Sequence, residues 1–293
     1  MIIDLHCHSC RSADGHSSPN AMMERAEEAG IEVLSITDHN ALSVPANDTG
    51  CVRAGLRLIR GCEISCQSPW ATNEEVHILA YFPHEDAPAG NIEATLARVR
   101  SVLRGRNLAI AHEAGLDLNV IRRAVEGQAE PLGPLFGEQV EAYMLNVYLR
   151  QLEPDDRNKA RARVDEATLR LCAAGRFPPL PSPEWVLEGI AGAGGYASLA
   201  HPTRYRASSG QLVEFVRRLA GSRQLHALEG GYGPRPQDCS QISELARQFG
   251  LRISGGSDSH DASTPGEQVA AMLAAAGADS FQCTILELFE GKA

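Results

Sequence analysis

Ile2-Ile3-Asp4-Leu5-His6-Cys7-His8 places two apolar residues ahead of an acid and a pair of histidines two positions apart. Side chains two apart on a β-strand project to the same face. If the stretch is a strand, His6 and His8 share one side, where they can grip a single cation, and Cys7 points to the other. Working outward, short apolar runs of the same kind recur at 33–36, 56–59, 76–81, 196–200, 225–228 and 251–253. Helical patterns separate some of them. The segment 19–30 follows serines, opens with Pro19 and closes with Gly30, as a capped helix does, and 237–250 repeats that form. Strands alternating with helices predict an α/β fold built on a parallel sheet or barrel.

Nearly every predicted strand runs into a residue type that binds metal. The first gives His6 and His8, followed by Asp14; the second gives Thr37-Asp38-His39-Asn40; the third ends at Gly61-Cys62-Glu63; the fourth contains His77. The fifth leads to Ala200-His201-Pro202, the sixth to Glu229, and the last to Ser257-Asp258-Ser259-His260. Loops after the strands form the active-site face of α/β barrels. Asp258 and His260 repeat the His6/His8 spacing from the far end of the chain. A carboxylate such as Glu63 can bridge two cations, which an imidazole cannot. Mixed histidine and carboxylate donors suit zinc, iron or manganese better than calcium. Cations a few ångströms apart share a hydroxide nucleophile and neutralise a phosphoryl group. HxH or His-Pro alone carries little; the ordered set at successive strand ends carries the inference.

Composition narrows the class. The chain has 293 residues and a net charge of −10, which disfavours a general nucleic-acid coat but not a small anionic substrate held by local arginines. No apolar run is long enough to span a bilayer, and the polar motif comes too soon for a signal peptide, so no membrane association and a cytoplasmic location are expected. Eight scattered cysteines read as reduced thiols. Cys7 and Cys10 form a CxxC, but Cys7 faces away from the histidines and is given no metal or redox role.

From about residue 91 to 193 the pattern changes to helices, at 92–115, 139–152, 154–175 and 183–192, with Pro178-Pro179-Leu180-Pro181 linking the last two. We read a helical insertion, 91–193, between the halves 1–90 and 194–293 of an α/β domain.

DLHCHS at 4–9, TDHN at 37–40, GCE at 61–63, His77, AHP at 200–202 and SDSH at 257–260 together resemble the polymerase and histidinol phosphatase (PHP) family. The resemblance covers about 1–85 and 195–262. It implies a distorted (β/α)7 barrel with three divalent metal ions. By position, one ion would take His6, His8, Glu63 and Asp258; a second would share Glu63 and take His77 and His201; the third would take His39, His260 and an acid. Family members place that acid five residues after the second histidine, whereas Asp14 lies six beyond His8, leaving Asp14 or Asp38 to fill the position.

The insertion, the AHPxRY form at 200–205 and RxRN at 104–107 resemble the small stand-alone branch, which includes nucleoside 3′,5′-bisphosphate phosphatases and enzymes of short oligoribonucleotides. Arg100, Arg104 and Asn107 share a helical face by spacing and, with Arg204, are expected to bind substrate phosphate. The branch's R-[TP]-H-[FI]-A element is missing; 132–137 reads Leu-Gly-Pro-Leu-Phe-Gly. The expected reaction is hydrolysis of a phosphate ester of a small nucleotide or sugar phosphate, with Glu63, Asp258 and His201 as catalytic residues. His201 or a water would protonate the leaving group. Hydrolysis of a cyclic sugar phosphate is the alternative within the family; a non-catalytic phosphate sensor and a carbon–nitrogen hydrolase are alternatives of other classes. No stable nucleic-acid complex is expected. Oligomeric state is not readable from the sequence.

Overall fold

The computed structural model describes residues 2–44, 52–53, 55–84, 90–129, 141–232, 236–263 and 283–290. Nine strands lie in two sheets among these residues. The first sheet has the order β1-β2-β4-β3, with β1 at Ile3–Cys7, β2 at Val33–Ile36, β3 at Val52–Arg53 and β4 at Leu56–Leu58. Its β1, β2 and β4 run parallel. The second has the order β5-β6-β7-β8-β9: β5 at Arg60–Gln67, β6 at Glu75–Phe82, β7 at Tyr196–Leu199, β8 at Ala227–Tyr232 and β9 at Arg252–Gly256. Here β7, β8 and β9 are parallel, but β5-β6 and β6-β7 are antiparallel. The fold is mixed α/β, and the expected all-parallel arrangement is corrected.

The correction comes from β5. The sequence reading ended a strand at Glu63, yet Glu63 lies within an eight-residue strand of its own. Cys62, Ile64 and Cys66 alternate onto the core face, fully buried, while Glu63 and Ser65 take the opposite face. Two of the three core residues are cysteines acting as small hydrophobes, so the apolar signal was faint.

Isolated bridges link the two sheets at Cys7–Ser259 and His39–Glu63. No continuous ladder closes a barrel among the described residues. β9 passes against β1 because Gly256 has no Cβ, which would lie 2.3 Å from the His6 nitrogen. Asp258 N then donates to His6 O at 2.6 Å and His8 N to Ser259 O at 2.7 Å.

Helix α1, Pro19–Glu28, starts where Ser18 caps Ala21 N. Between β6 and β7 come α2 (Gly90–Glu113), α3 (Leu118–Ala129), α4 (Met144–Gln151), α5 (Pro154–Ala173) and α6 (Pro183–Gly192). After β7 follow α7 (Ser209–Gly221), α8 (Pro236–Phe249) and α9 (Leu286–Phe289). Ile92, Leu96, Val99 and Leu103 of α2 recur at helical spacing and pack on the core beneath β5 and β6. Further along, Ile110, Ala111 and Ala114 join α3, α4 and α5 in a second apolar cluster around Ile121, Leu145, Val147 and Val164. No described helix is long and apolar enough to cross a membrane.

Candidate metal centre

His6 and His8 leave β1 on the same face, and both are fully buried. His6 Nε2 lies 3.2 Å from His8 Nε2. Glu63 Oε2 is 3.4 Å from the first and 3.3 Å from the second; Asp258 Oδ1 is 3.3 and 3.1 Å away. Around a tetrahedral cation with ligands at about 2.0–2.1 Å, donor atoms stand about 3.3 Å apart. The four side chains therefore fit one divalent ion.

The other oxygen of Glu63 serves the opposite side. His77 sits on β6 diagonally across from Glu63, in register with Ser65, and its Nδ1 is 2.9 Å from Glu63 Oε1. His201 Nε2 approaches the same oxygen at 3.0 Å. His39 Nδ1 lies 3.0 Å from Glu63 Oε2. A third cluster gathers His8, Asp14, His39 and His260. Asp14 Oδ2 stands 3.3 Å from both His39 Nε2 and His260 Nε2. Asp14, His39, Glu63, His77, His201, Asp258 and His260 line one cleft of about 340 Å³ together with Arg204, and His6 and His8 lie behind it against Glu63 and Asp258.

Asp38 is not among those donors. Its oxygens accept from Ser9 N at 2.7 Å, Ser9 Oγ at 2.6 Å, Ser12 Oγ at 2.8 Å and the Ser43 hydroxyl. Ser12 Oγ in turn accepts from His39 N and His8 Nδ1. Asp38 thereby holds the loop that orients two histidines. His6 Nδ1 donates to Glu229 Oε1 at 2.9 Å, and His260 Nδ1 donates to Asp258 O at 2.8 Å. In His6, His8 and His260 the outer nitrogen is committed to a hydrogen bond, leaving Nε2 as an electron-pair donor facing the cleft.

Sequence reasoning passed over Glu229 although it noted the acid at a strand end. Glu229 is buried, bonded to His6, and its second oxygen accepts from His201 N at 2.6 Å. It also missed Asp4, which accepts from Ser257 N at 2.9 Å and Ser257 Oγ at 2.7 Å and so ties the last motif to β1. Tyr205 OH donates to Ala200 O and accepts from His77 N, locking the two strands that carry His77 and His201. The alternation of carboxylates and histidines at strand ends was the available signal for Glu229; Asp4 and Tyr205 stood inside the motifs at 4–9 and 200–205, but nothing in their spacing pointed to these bonds.

Among the described residues, three of the four non-glycine residues with positive φ sit here: Asn40, His201 and Asp258, at 53°, 28° and 50°. Each costs on the order of 1–3 kcal/mol, and such strain gathers at functional sites. Hydrogen bonds hold the strained residues. Asn40 N donates to Glu63 O at 2.8 Å, and its amide reaches Ser65 Oγ and Tyr143 OH.

The electrostatics call for positive charge. Burial opposes a proton on His6, yet Glu229, Glu63 and Asp258 outweigh it and raise its pKa well above the usual value. His39 behaves likewise beside Glu63 and Asp14. Burial would raise Glu63, but His77, His6 and His39 pull it well below the carboxylate range, and Asp14 and Asp258 are lowered in the same way. Protons or metal ions can meet that demand, and mixed histidine and carboxylate donors suit divalent metal ions. His201 is the exception: burial keeps its pKa low.

The structure does not bring Arg100, Arg104 and Asn107 into the cleft. Arg100 is buried, donating to Asn40 O at 3.0 Å and pairing with Glu93. Arg104 is half-exposed and pairs with Glu141 at 3.1 Å. Asn107 bonds Leu103 O and Ala142 O and accepts from Leu145 N. Helical spacing put the three near one face without saying what that face meets. Arg204 does reach the cleft, with Nη1 2.9 Å from Asp258 Oδ2. The stretch 132–137, where the branch's arginine and histidine are missing, lies outside the described residues.

The PHP domain family matches residues 4–118. The chain is 31% identical over 273 residues to the 5′-3′ exoribonuclease Rnm of Salmonella typhimurium, covering 89% of this chain and 85% of that protein. It is 28% identical over 279 residues to a 3′,5′-nucleoside bisphosphate phosphatase of Chromobacterium violaceum, covering 90% and 88%. A phosphoribosyl 1,2-cyclic phosphate 1,2-diphosphodiesterase of Eggerthella lenta shares 35% over 91 residues, or 30% of this chain and 34% of that one. Among solved structures, an amidohydrolase from Chromobacterium violaceum with bound sulfate and no metal has the same fold, with a TM-score of 0.65 at 23% identity over 92% of this chain and 90% of that one. With its histidine and carboxylate cleft and a relative above 30% identity along most of its length, the chain belongs to the PHP family of metal-dependent phosphoester hydrolases.

Proposed function

We propose that the chain hydrolyses phosphate esters of nucleotides, at the end of a short oligoribonucleotide or in a nucleoside bisphosphate, using three divalent ions of manganese, iron or zinc. The observation that carries the reading is the cleft in which Glu63 offers one oxygen to His6, His8 and His39 and the other to His77 and His201. His6, His8, Glu63 and Asp258 form one ion's donor set, and Glu63, His77 and His201 a second. Asp14, His39 and His260 form a third, with Asp14 favoured over Asp38 because the oxygens of Asp38 are taken by serines. Cations bound there would supply the Lewis acidity that activates water and neutralises phosphoryl oxygens.

The chain's own residues do the rest. Arg204, beside Asp258, extends its guanidinium to a phosphate oxygen and fixes the ester in the cleft. Asp258 holds the Arg204 fork and the His8 side of the cleft at once. His201 stays neutral, which suits a donor atom rather than a proton source, so the leaving alkoxide takes its proton from water. Arg100 acts indirectly, through the Asn40 carbonyl next to His39.

Relatives named for nucleotide or RNA chemistry align along most of the chain, whereas the one named for a cyclic sugar phosphate aligns along less than a third. That favours the nucleotide. We also read the two sheets as one distorted (β/α)7 barrel formed by 1–90 and 194–293, with 91–193 as a helical insertion over the cleft. Direct β6-β7 pairing across the helices and the second apolar cluster support this division. The six described cysteines are free thiols, in keeping with a cytoplasmic location.

The test is hydrolysis, by Mn²⁺-loaded protein, of a 5′-phosphorylated short oligoribonucleotide, adenosine 3′,5′-bisphosphate and a ribose cyclic phosphate. Cleavage of either of the first two, abolished by EDTA, is expected. Turnover of the cyclic phosphate alone would transfer the protein to the other substrate class; no turnover of any ester with Mn²⁺, Fe²⁺ or Zn²⁺ would leave a sensor.

A further inference from the structure

Arg106 departs from the other arginines of α2. Arg100 and Arg104 end on Asn40, Glu93 and Glu141. Arg106 is only 3% exposed, and burying a guanidinium is costly unless its donors find partners. All three of its nitrogens do. Nη1 donates to Glu75 Oε1 at 3.2 Å, Nη2 to Gln67 Oε1 at 2.6 Å and Nε to Pro178 O at 2.5 Å. The Phe177 ring covers the guanidinium, its centroid 4.5 Å from the central carbon. Of these partners only Glu75 carries a charge.

The strand pair carries that charge to the metal centre. β5 and β6 run antiparallel with Gln67 opposite Glu75 and Ser65 opposite His77. Residues two apart on a strand share a face, so Glu63, Ser65, Gln67, Glu75 and His77 lie on one polar face of the pair. His77 Nδ1 lies 2.9 Å from Glu63 Oε1, and on the other edge of the ring Nε2 lies 3.7 Å from Glu75 Oε2. His77 is thus turned the opposite way from His6, His8 and His260, whose Nδ1 atoms are the hydrogen-bonded outer nitrogens. A neutral imidazole that offers Nδ1 as an electron-pair donor carries its proton on Nε2. Glu75 is the carboxylate beside that proton, at the spacing of a charge pair rather than a formed hydrogen bond. One carboxylate therefore spans two groups: Oε1 takes Arg106 and Oε2 faces His77.

We propose that Glu75 is a positioning residue for His77 and that Arg106 fixes Glu75 in that task. The pair holds the imidazole with Nδ1 toward Glu63 and so shapes the donor set of Glu63, His77 and His201. A carboxylate behind a metal-bound imidazole fixes its tautomer and orientation and makes it a stronger donor. The side chain of Glu75 is about one-third exposed, so the buried fork of Arg106, pinned in turn by Gln67 and Pro178, is what keeps it in place. Helix α2 thereby contributes to the metal centre through a carboxylate rather than by binding substrate. The inference rests on the reading above that His77, His201 and Glu63 hold one ion.

The experiment measures bound manganese directly, without reference to turnover. Wild-type, Glu75→Ala, Glu75→Gln, Arg106→Lys and His77→Ala proteins are equilibrated at graded free Mn²⁺, and the metal per chain is counted by mass spectrometry. Glu75→Ala is expected to need about ten- to a hundredfold more free Mn²⁺ to fill one site, with the remaining metal held as in wild type. Glu75→Gln keeps an oxygen for the Nε2 proton and for Arg106, so it should fold normally and lose less affinity. Arg106→Lys keeps a charge for Glu75 but loses the fork, and should also fall between Glu75→Ala and wild type. Mn²⁺ binding by both Glu75 variants within about twofold of wild type overturns the proposal. So does a loss confined to the Tm of EDTA-treated protein, which is what a merely structural role would produce. If His77→Ala holds as much manganese as wild type, the assignment of that ion fails and the role of Glu75 falls with it. If His77→Ala loses an ion and the Glu75 variants lose none, only the positioning role is overturned.

Discussion

The metal cleft and the helical segment at 90–192 treat their charged residues in opposite ways. In the cleft, buried carboxylates and imidazoles crowd within about 3 Å of one another, with strained backbone at Asn40, His201 and Asp258. Along α2 and α5, arginines reach carbonyls and exposed acids that a solvated helix supplies anyway. The first arrangement costs stability and persists only because a ligand repays it; the second contributes a little stability and asks for nothing. Charge alone does not identify a site: what marks one is charge without the partners an ordinary fold would give it.

Breaking the cleft should have the largest effect. His8→Ala or Asp258→Asn removes a donor shared by the closest set of contacts, and turnover should fall by at least about a thousandfold with loss of bound metal. Full activity with normal metal content in either variant would refute the arrangement. Glu229→Gln should be milder. It leaves every proposed metal donor in place but weakens the anchor on His6, so metal affinity or activity should drop about ten- to a hundredfold. A change confined to thermal stability would make Glu229 a structural residue only.

Acid–base behaviour sharpens the contrast further. Burial would lower the pKa of His77, but Glu63 raises it to about 9, above the ordinary histidine value of 6.5. In metal-free protein that stabilisation is full below pH 6.5 and is lost as pH rises through 9. The Tm of EDTA-treated protein should therefore fall between these pH values, while Mn²⁺ binding, which competes with the same proton, should tighten. A Tm that rises over this interval in EDTA would contradict the ion-pair network.

The smallest effects belong to the helices. Asn107→Ala should lower stability by about 1–3 kcal/mol, since it leaves Leu145 N and two carbonyls short of partners. Arg104→Ala should cost no more than about 1 kcal/mol, because both it and Glu141 are half-exposed. Neither should change KM for any phosphate ester by more than about twofold. A strong rise for Arg104→Ala would restore it to the substrate site.

Why the cleft was legible and the helices were not follows from geometry. Strand periodicity of two fixes which side chains share a face, and the parallel strands β1 and β9 carry their motifs to the same end. Spacing thus paired His6 with His8 and Asp258 with His260, and the family resemblance joined Asp258 to the first pair. Helical periodicity gives a face just as reliably, but a helix can roll. Arg100, Arg104 and Asn107 fell on neighbouring turns yet turned to Asn40, Glu141 and Leu145 respectively. Glu63 shows a third case: the residue was identified while its strand was misread, because cysteines carried β5's core face. Asp4, Glu229 and Tyr205 act through other residues, and such roles leave no spacing signature.

Gly256 allows β9 to close on His6, so the first and last motifs complete one donor set. A chain growing on the ribosome has its first histidines in solution long before residues 258–260 emerge from the exit tunnel. Until then it carries at best an open, three-sided group of His6, His8 and Glu63. Cation capture is therefore a late event in the protein's biogenesis, and prematurely terminated chains should lack phosphoesterase activity.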